Sequence, residues 1–318
     1  MSTCATAQGY WATLKEGFPP KPTFSVDDIP DLTGRVMIVT GGNTGVGKET
    51  IKALLQHNAT VYMASRSREK AEEAINDLKE QTGKEAIFLK LNLGDLRGVK
   101  RAAEEFLSKE HELHVLFNNA GVMIPPMGWL TDDGYDLQFG TNVLGHWYFT
   151  ELLMPALLAG KETSPDGHAR VITTSSSAGY VFTVNWDSFR DGPVRRKMGA
   201  QKLYSQSKFL NVVISHQTAK RYGNQGIIAL SCNPGYLKTD LQRHITGFEK
   251  KVVDTLLHPV QFGALTQLWG GTMPEPAQHN GEFMIPWARM GKCRPEAYDD
   301  EIGERLWNYC QEQVKTIR

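Results

Sequence analysis

The stretch Thr40-Gly-Gly-Asn-Thr-Gly-Val-Gly47 decides the fold of this 318-residue chain. Before it stands Arg35-Val-Met-Ile-Val-Thr40, a short apolar run of the kind a buried parallel strand shows. After it, Val46, Thr50, Ala53 and Leu54 recur at helical spacing through residues 46–57. Strand, glycine-rich turn and helix in that order make an anion cradle. Glycines allow a tight turn and close approach of backbone N–H groups to a diphosphate, and the helix N-terminus adds favourable potential. The spacing is Gly41-x3-Gly45-x-Gly47, not GxGxxG, and no GK[ST] stands at P-loop spacing. A nucleoside triphosphate site is therefore not expected.

Working outward, the same rhythm repeats. Thr60-Val-Tyr-Met-Ala64, Ala86-Ile-Phe-Leu-Lys-Leu91 and His114-Val-Leu-Phe117 read as strands, separated by helices over 69–81 and 95–109. A helix over 147–159, a strand over 169–174, a helix from Tyr204 to Arg221 and strands at 227–231 and 281–285 follow. Alternation with short connections predicts the α/β class: one Rossmann-like, doubly wound parallel sheet flanked by helices on both faces. The catalytic domain spans 33–318, with a lid near 236–262 where Tyr236, Leu237, Leu241, Ile245 and Phe248 mix with charge. Residues 1–32 read as an extension whose Pro-Pro-Lys-Pro at 19–22 disfavours helix, and 286–318 as a closing helix and cover. In such sheets ligands bind beyond the carboxyl ends of the strands, so the residues after each strand carry the function.

Composition narrows the classes. Lysine plus arginine and aspartate plus glutamate each number 35, so nothing steers the chain to nucleic acid. Four dispersed cysteines without a CxxC pair, and an N-terminus without an apolar core, lead us to expect a reduced, cytoplasmic setting. The longest apolar stretch, 147–158, is interrupted by Thr150, Glu151 and Pro155, which argues against a membrane span. Nine histidines without HExxH spacing or a close His/Cys cluster give no metal site.

Tyr204-Ser-Gln-Ser-Lys208 puts a phenol and an ammonium one helical turn apart on one face. A phenol of pKa near 10 is a poor acid–base catalyst at neutral pH, and a neighbouring ammonium favours its phenolate. Together with the glycine turn, Asn118-Asn-Ala-Gly121, Thr173-Thr-Ser-Ser-Ser177 and Asn233-Pro-Gly-Tyr-Leu-Lys-Thr239, this order of motifs resembles the short-chain dehydrogenase/reductase family over residues 33–290. The 28-residue separation of Ser176 and Tyr204, its insert Phe182 to Phe189, and Asn142-x-x-Gly-His146 are most similar to its retinol-dehydrogenase and WW-domain-oxidoreductase branch. The insert's aromatics suit either a substrate wall or plain packing.

The resemblance implies hydride transfer between a nicotinamide cofactor and a carbonyl (ketone, aldehyde or quinone) or alcohol. It implies Tyr204 as acid/base, Lys208 as the group that lowers its pKa and bonds the ribose, and Asn142 as the residue whose backbone holds a relay water. Ser176 would bond the substrate oxygen, with Ser175 and then Ser177 as alternatives. The implied cofactor set is Gly41, Asn43, Thr44, Gly45, Val46, Gly47, Arg66, Asn92, Leu93, Asn119, Ala120, Gly121, Tyr204, Lys208, Pro234, Gly235, Leu237 and Thr239. Asn92 stands where the family usually has an aspartate. The second strand ends in Met63-Ala-Ser-Arg66-Ser-Arg68 without a carboxylate, which favours NADP(H) over NAD(H). The substrate expected is small and largely apolar, and the resemblance admits a homo-oligomer. The rival is a non-catalytic, cofactor-sensing or scaffolding member of the same fold.

Overall fold

The computed structural model describes residues 7–237 and 257–317. Six strands, β1 (Val36–Thr40), β2 (Thr60–Ser65), β3 (Ile87–Lys90), β4 (Val115–Asn118), β5 (Ala169–Thr174) and β6 (Ile227–Cys232), are parallel. With β7 (Phe283–Ile285) and β8 (Arg289–Gly291) they form one sheet in the order β3-β2-β1-β4-β5-β6-β7-β8. The order reverses between β1 and β4, and that crevice is where doubly wound sheets take ligands. β4, β5 and β6 are buried along their whole length, as strands covered on both faces must be.

The helices take their ends from local chemistry. After α1 (Ala7–Gly17) and α2 (Gly45–Gln56), α3 (Arg68–Thr82) starts at Ser67, whose side chain accepts from the Lys70 N–H. It stops at Gly83, which is left-handed at φ 71°. α4 (Leu96–Leu107) and α5 (His146–Gly160) bury Val99, Phe106, Phe149 and Leu153 on one face of the sheet. α6 (Pro193–Tyr222) breaks at Gly199, φ 75°, so the segment bearing Tyr204 begins there. α7 (Val260–Thr272) packs on α2 across the other face, and α8 (Asp300–Val314) packs on α6 and α5.

Three elements lie outside the expectation drawn from sequence. α1 falls within the extension, α7 begins inside the stretch read as a lid, and β8 adds an antiparallel edge. Among residues of the insert, Phe189 stacks on Phe139 at 3.9 Å between ring centroids and meets Tyr309 edge-on at 5.1 Å. Phe189 is therefore core packing.

A buried ion pair anchors the insert. Arg195 Nε donates to Asp136 Oδ2 at 2.8 Å, while Asp136 Oδ1 accepts the N–H groups of Gln138 and Phe139. Both residues are 2% exposed. Removing one partner of a buried pair strands the other charge, at a cost of about 3–5 kcal/mol. Arg195→Leu should lower the denaturant-derived unfolding free energy by that amount. A loss below about 1 kcal/mol would show that Asp136 finds another partner.

Candidate active site

The glycine turn is locked to the end of β4 by Thr40. Its Oγ accepts the N–H groups of Asn119 and Ala120, both at 2.9 Å, and Asn119 Nδ2 donates to the Thr40 carbonyl at 2.8 Å. Two glycines are required by space. A Cβ on Gly47 would lie 2.5 Å from the Gly41 oxygen and 2.6 Å from Asn119 Nδ2. One on Gly41, already at φ 66°, would sit 3.0 Å from Ala120 Cα. Asn43, Thr44 and Gly45 turn the chain into α2, with exposed Thr44 at its N-cap and Val46 in its first turn. The result is a cradle of backbone at a helix N-terminus, open at the sheet's switch point, and its shape and donors fit a diphosphate.

The other half of the site grows from β5 and α6. Lys208 is buried, and its ammonium donates to the Thr174 carbonyl at 3.0 Å, an oxygen shared with Asn211 Nδ2 at 3.1 Å. The three serines part company. Ser175 Oγ donates to the Lys208 carbonyl at 2.6 Å, and Ser177 Oγ donates to the Tyr236 hydroxyl at 3.2 Å. Ser176 Oγ caps the following turn by accepting the Ala178 N–H, and it hydrogen-bonds the Tyr204 hydroxyl. Only Ser176 faces the phenol.

Asn142 lies in a π-helical turn, Gly140–Gly145, a widening of the helix that frees backbone carbonyls. Its Oδ1 accepts the Val122 N–H at 2.8 Å, and its Nδ2 donates to the Val122 carbonyl and to Ser207 Oγ, both at 3.0 Å. Gly121 sits between Asn142 and Lys208: a Cβ there would lie 3.3 Å from Asn142 Oδ1 and 3.5 Å from Lys208 Nζ.

Electrostatics depart from the sequence expectation. Burial pushes Tyr204 up to about 12, with the Ser176 bond pulling the other way, and burial pushes Lys208 down to about 8. The expected lowering of the phenol by the ammonium is not what these side chains show. Lys208 Nζ is drawn to Thr174 and stands 5.8 Å from the Tyr204 ring centroid.

Arg66 is exposed just past the carboxyl end of β2. Asn92 Oδ1 accepts the Gly94 N–H at 3.2 Å, and Leu93 is buried beside it. Pro234 and Gly235 turn the chain after β6, where Asn233 Oδ1 accepts the Gly235 N–H at 3.0 Å, and buried Leu237 follows. Thr239 lies outside the described residues, as does most of the stretch read as a lid.

Two residues that tie the site together were not among the site residues expected from sequence: His146, noted only as part of the Asn142-x-x-Gly-His146 stretch, and Gln267. Burial above all, with the nearby Lys208 charge acting the same way, drives buried His146 down to about 3, so the ring is neutral. Its Nδ1–H must donate to the Asn142 carbonyl (3.2 Å), leaving Nε2 to accept from Thr40 Oγ at 2.9 Å. Gln267 on α7 spans both halves, its Oε1 accepting from Thr174 Oγ at 2.9 Å and its Nε2 donating to Thr50 Oγ at 2.5 Å. His146 carried a signal, four residues after Asn142 on one helix; Gln267 carried none.

Residues 35–189 match the family described as short chain dehydrogenase. A short-chain dehydrogenase/reductase of Armillaria gallica is 60% identical over 305 residues, covering 96% of this chain and 98% of the relative. A crystal structure of an uncharacterised protein from Mycobacterium paratuberculosis superposes with a TM-score of 0.69 at 28% identity, covering 92% and 97% of the two chains. A short chain dehydrogenase from Shigella flexneri, complexed with NADP, shares the fold at a TM-score of 0.64 and 21% identity, covering 81% of this chain and 98% of that one. The dinucleotide cradle and these likenesses define an oxidoreductase that works with a nicotinamide cofactor. The chain belongs to the short-chain dehydrogenase/reductase family. Among the described residues no helix is long and apolar enough to cross a membrane.

Proposed function

We propose that this enzyme interconverts a carbonyl (ketone, aldehyde or quinone) and an alcohol, with NADP(H) as its preferred cofactor. The observation that carries the reading is the convergence of Ser176, Tyr204 and Lys208 past the end of β5. Gly41, Asn43, Thr44, Gly45, Val46 and Gly47 would hold the diphosphate. Asn92, Leu93, Asn119, Ala120 and Gly121 would line the adenine and ribose side, and Pro234, Gly235, Leu237 and Thr239 the nicotinamide side. When bound, the reduced cofactor supplies a hydride.

The rest falls to this chain's own groups. Ser176 Oγ, already beside the phenol, donates a hydrogen bond to the substrate oxygen and orients it. Tyr204 holds a proton at its hydroxyl, because burial keeps it neutral, and gives it up as negative charge builds on that oxygen. Lys208 places positive potential beneath the site and would bond the cofactor ribose. Asn142, in the π turn across Gly121 from Lys208, would pass the replacement proton through a water on its carbonyl. The substrate class this reading admits is a small, largely apolar molecule. The described cysteines Cys232, Cys293 and Cys310 are free and buried, which supports a cytoplasmic setting. A screen of NADPH oxidation across aldehydes, ketones and quinones tests the reading; no turnover in any class would sink it.

Cofactor choice follows from Arg66. Its guanidinium would bond the 2′-phosphate, and loss of such a charge-assisted contact costs roughly 1.5–3 kcal/mol, about 10- to 150-fold in affinity. NADPH should bind more tightly than NADH by that ratio in fluorescence titrations, and Arg66→Asp should reverse the order at least partly. Equal affinities in the native enzyme would remove Arg66 from the site.

A further inference from the structure

We propose that Glu16, on the N-terminal helix, is a positioning residue of the active site: its carboxylate ties the turn carrying Ser176 to the turn carrying Pro234 and Gly235. The proposal rests on the carbonyl-reductase reading above for what those turns do, and on geometry for the tie itself.

Glu16 is 6% exposed, unusual for a carboxylate near a chain terminus. Burial raises its pKa, while two hydrogen bonds and the charge of Arg289 pull it back. Each of its oxygens has one donor. The Tyr180 hydroxyl donates to Oε1 at 2.5 Å, and Asn233 Nδ2 donates to Oε2 at 2.6 Å. Those donors are 164 and 217 residues away in sequence, on different loops.

Each donor sits one step from the chemistry. Tyr180 ends the short helical turn Ser177–Tyr180, whose N-cap is Ser176. Asn233 spends its amide oxygen on the Gly235 N–H, which fixes the turn expected to lie over the nicotinamide. A parallel strut confirms the pairing of the same elements: Ser177 donates to Tyr236, and the Tyr236 hydroxyl lies 3.4 Å from the Thr13 carbonyl. α1 also approaches too closely for accident, since a Cβ on Gly9 would lie 2.8 Å from the Tyr180 carbonyl. The helix thus clasps both turns, and residues 7–17 form part of the catalytic unit.

The clasp needs an acceptor toward Asn233, whose own amide oxygen is held by the Gly235 N–H so that only Nδ2 is offered to the helix. A glutamine could still serve, its carbonyl accepting from Asn233 Nδ2 and its amino group donating to the Tyr180 hydroxyl oxygen, so the test has to remove both carboxylate oxygens.

The test uses the full-length enzyme, NADPH, and the carbonyl that the panel reduces fastest. Glu16→Met, similar in length and without either oxygen, should lower kcat at least about tenfold. On the protein alone, amide hydrogen exchange should speed up in peptides covering 176–181 and 233–237, with the strand amides of β1 and β4 unchanged. Tyr180→Phe, which removes one donor, should reproduce the faster exchange in both peptides, and the double variant should lose no more activity than Glu16→Met alone. A folded Glu16→Met enzyme with kcat within twofold of native, or unchanged exchange in both peptides, overturns the proposal. If Glu16→Met does not fold, Tyr180→Phe decides in its place: native exchange in the 233–237 peptide overturns the proposal. Tyr204→Phe measured alongside separates the two readings, because an active Tyr204→Phe enzyme rejects the mechanism while leaving the exchange result to judge the clasp.

Discussion

Tyr204→Phe is expected to abolish measurable carbonyl reduction while NADPH still binds with nearly native affinity. The substitution deletes one hydroxyl from a residue that is packed into α6 and hydrogen-bonded to Ser176. A positioned acid/base group contributes about 10²–10⁴-fold in rate, and that is the loss anticipated in kcat. Binding should survive because the cradle is built from the Thr40–Gly47 turn and the Asn119–Ala120 backbone, which do not touch the phenol. The contrast with Ser176→Ala is informative. Ser176 also caps its own turn through the Ala178 N–H, so its loss should harm both KM and kcat, whereas Tyr204→Phe should act on kcat alone. Retention of more than about a tenth of native turnover, with the hydride step limiting, would mean that another group delivers the proton.

The sheet was legible because its strands obey two strong rules at once. Continuous apolar runs such as Val36–Thr40 and Ile227–Cys232 end in glycine or asparagine turns, and their repeated alternation with helical stretches is the pattern of doubly covered parallel strands. The phenol–ammonium pair was legible because helical geometry makes a four-residue spacing a contact. Which serine faces Tyr204 was not, since three adjacent hydroxyls differ only in where the backbone aims them; the structure separates them by their partners. α7 escaped notice for a different reason. Val260–Thr272 is apolar all round and holds three glycines, so it shows no amphipathic stripe and has low intrinsic helix propensity. It is helical because it is buried between α2 and the sheet. α1 was hidden by the prolines that follow it, and its importance rests on Glu16, whose partners no local pattern could reveal. The pKa reversal belongs to the same class: spacing told of proximity, while burial sets the sign.

That reversal makes Lys208 the group whose titration should shape the rate. Tyr204, at about 12, keeps its proton through the whole working range, so reduction should not lose its acid on the alkaline side. Lys208, at about 8, gives up its charge there instead. Carbonyl reduction should therefore be level below about pH 7 and fall through an apparent pKa near 8 as the ammonium is lost. Lys208→Arg, with a guanidinium that stays charged, should remove that limb from whatever activity it keeps. Lys208→Met should cost more turnover than Tyr204→Phe, because it removes the ribose contact along with the charge. Stability supplies a control with a definite sign. The folded pKa lies below the unfolded value near 10.5, so between them the unfolded chain binds more protons, and native stability should rise with pH across that window. Below about 8 the buried ammonium opposes folding. Lys208→Met should then melt at or above the native temperature at pH 7 and lack the alkaline gain, while being catalytically dead. A variant that loses stability and activity together would instead make Lys208 a structural prop, its bond to the Thr174 carbonyl mattering more than its charge.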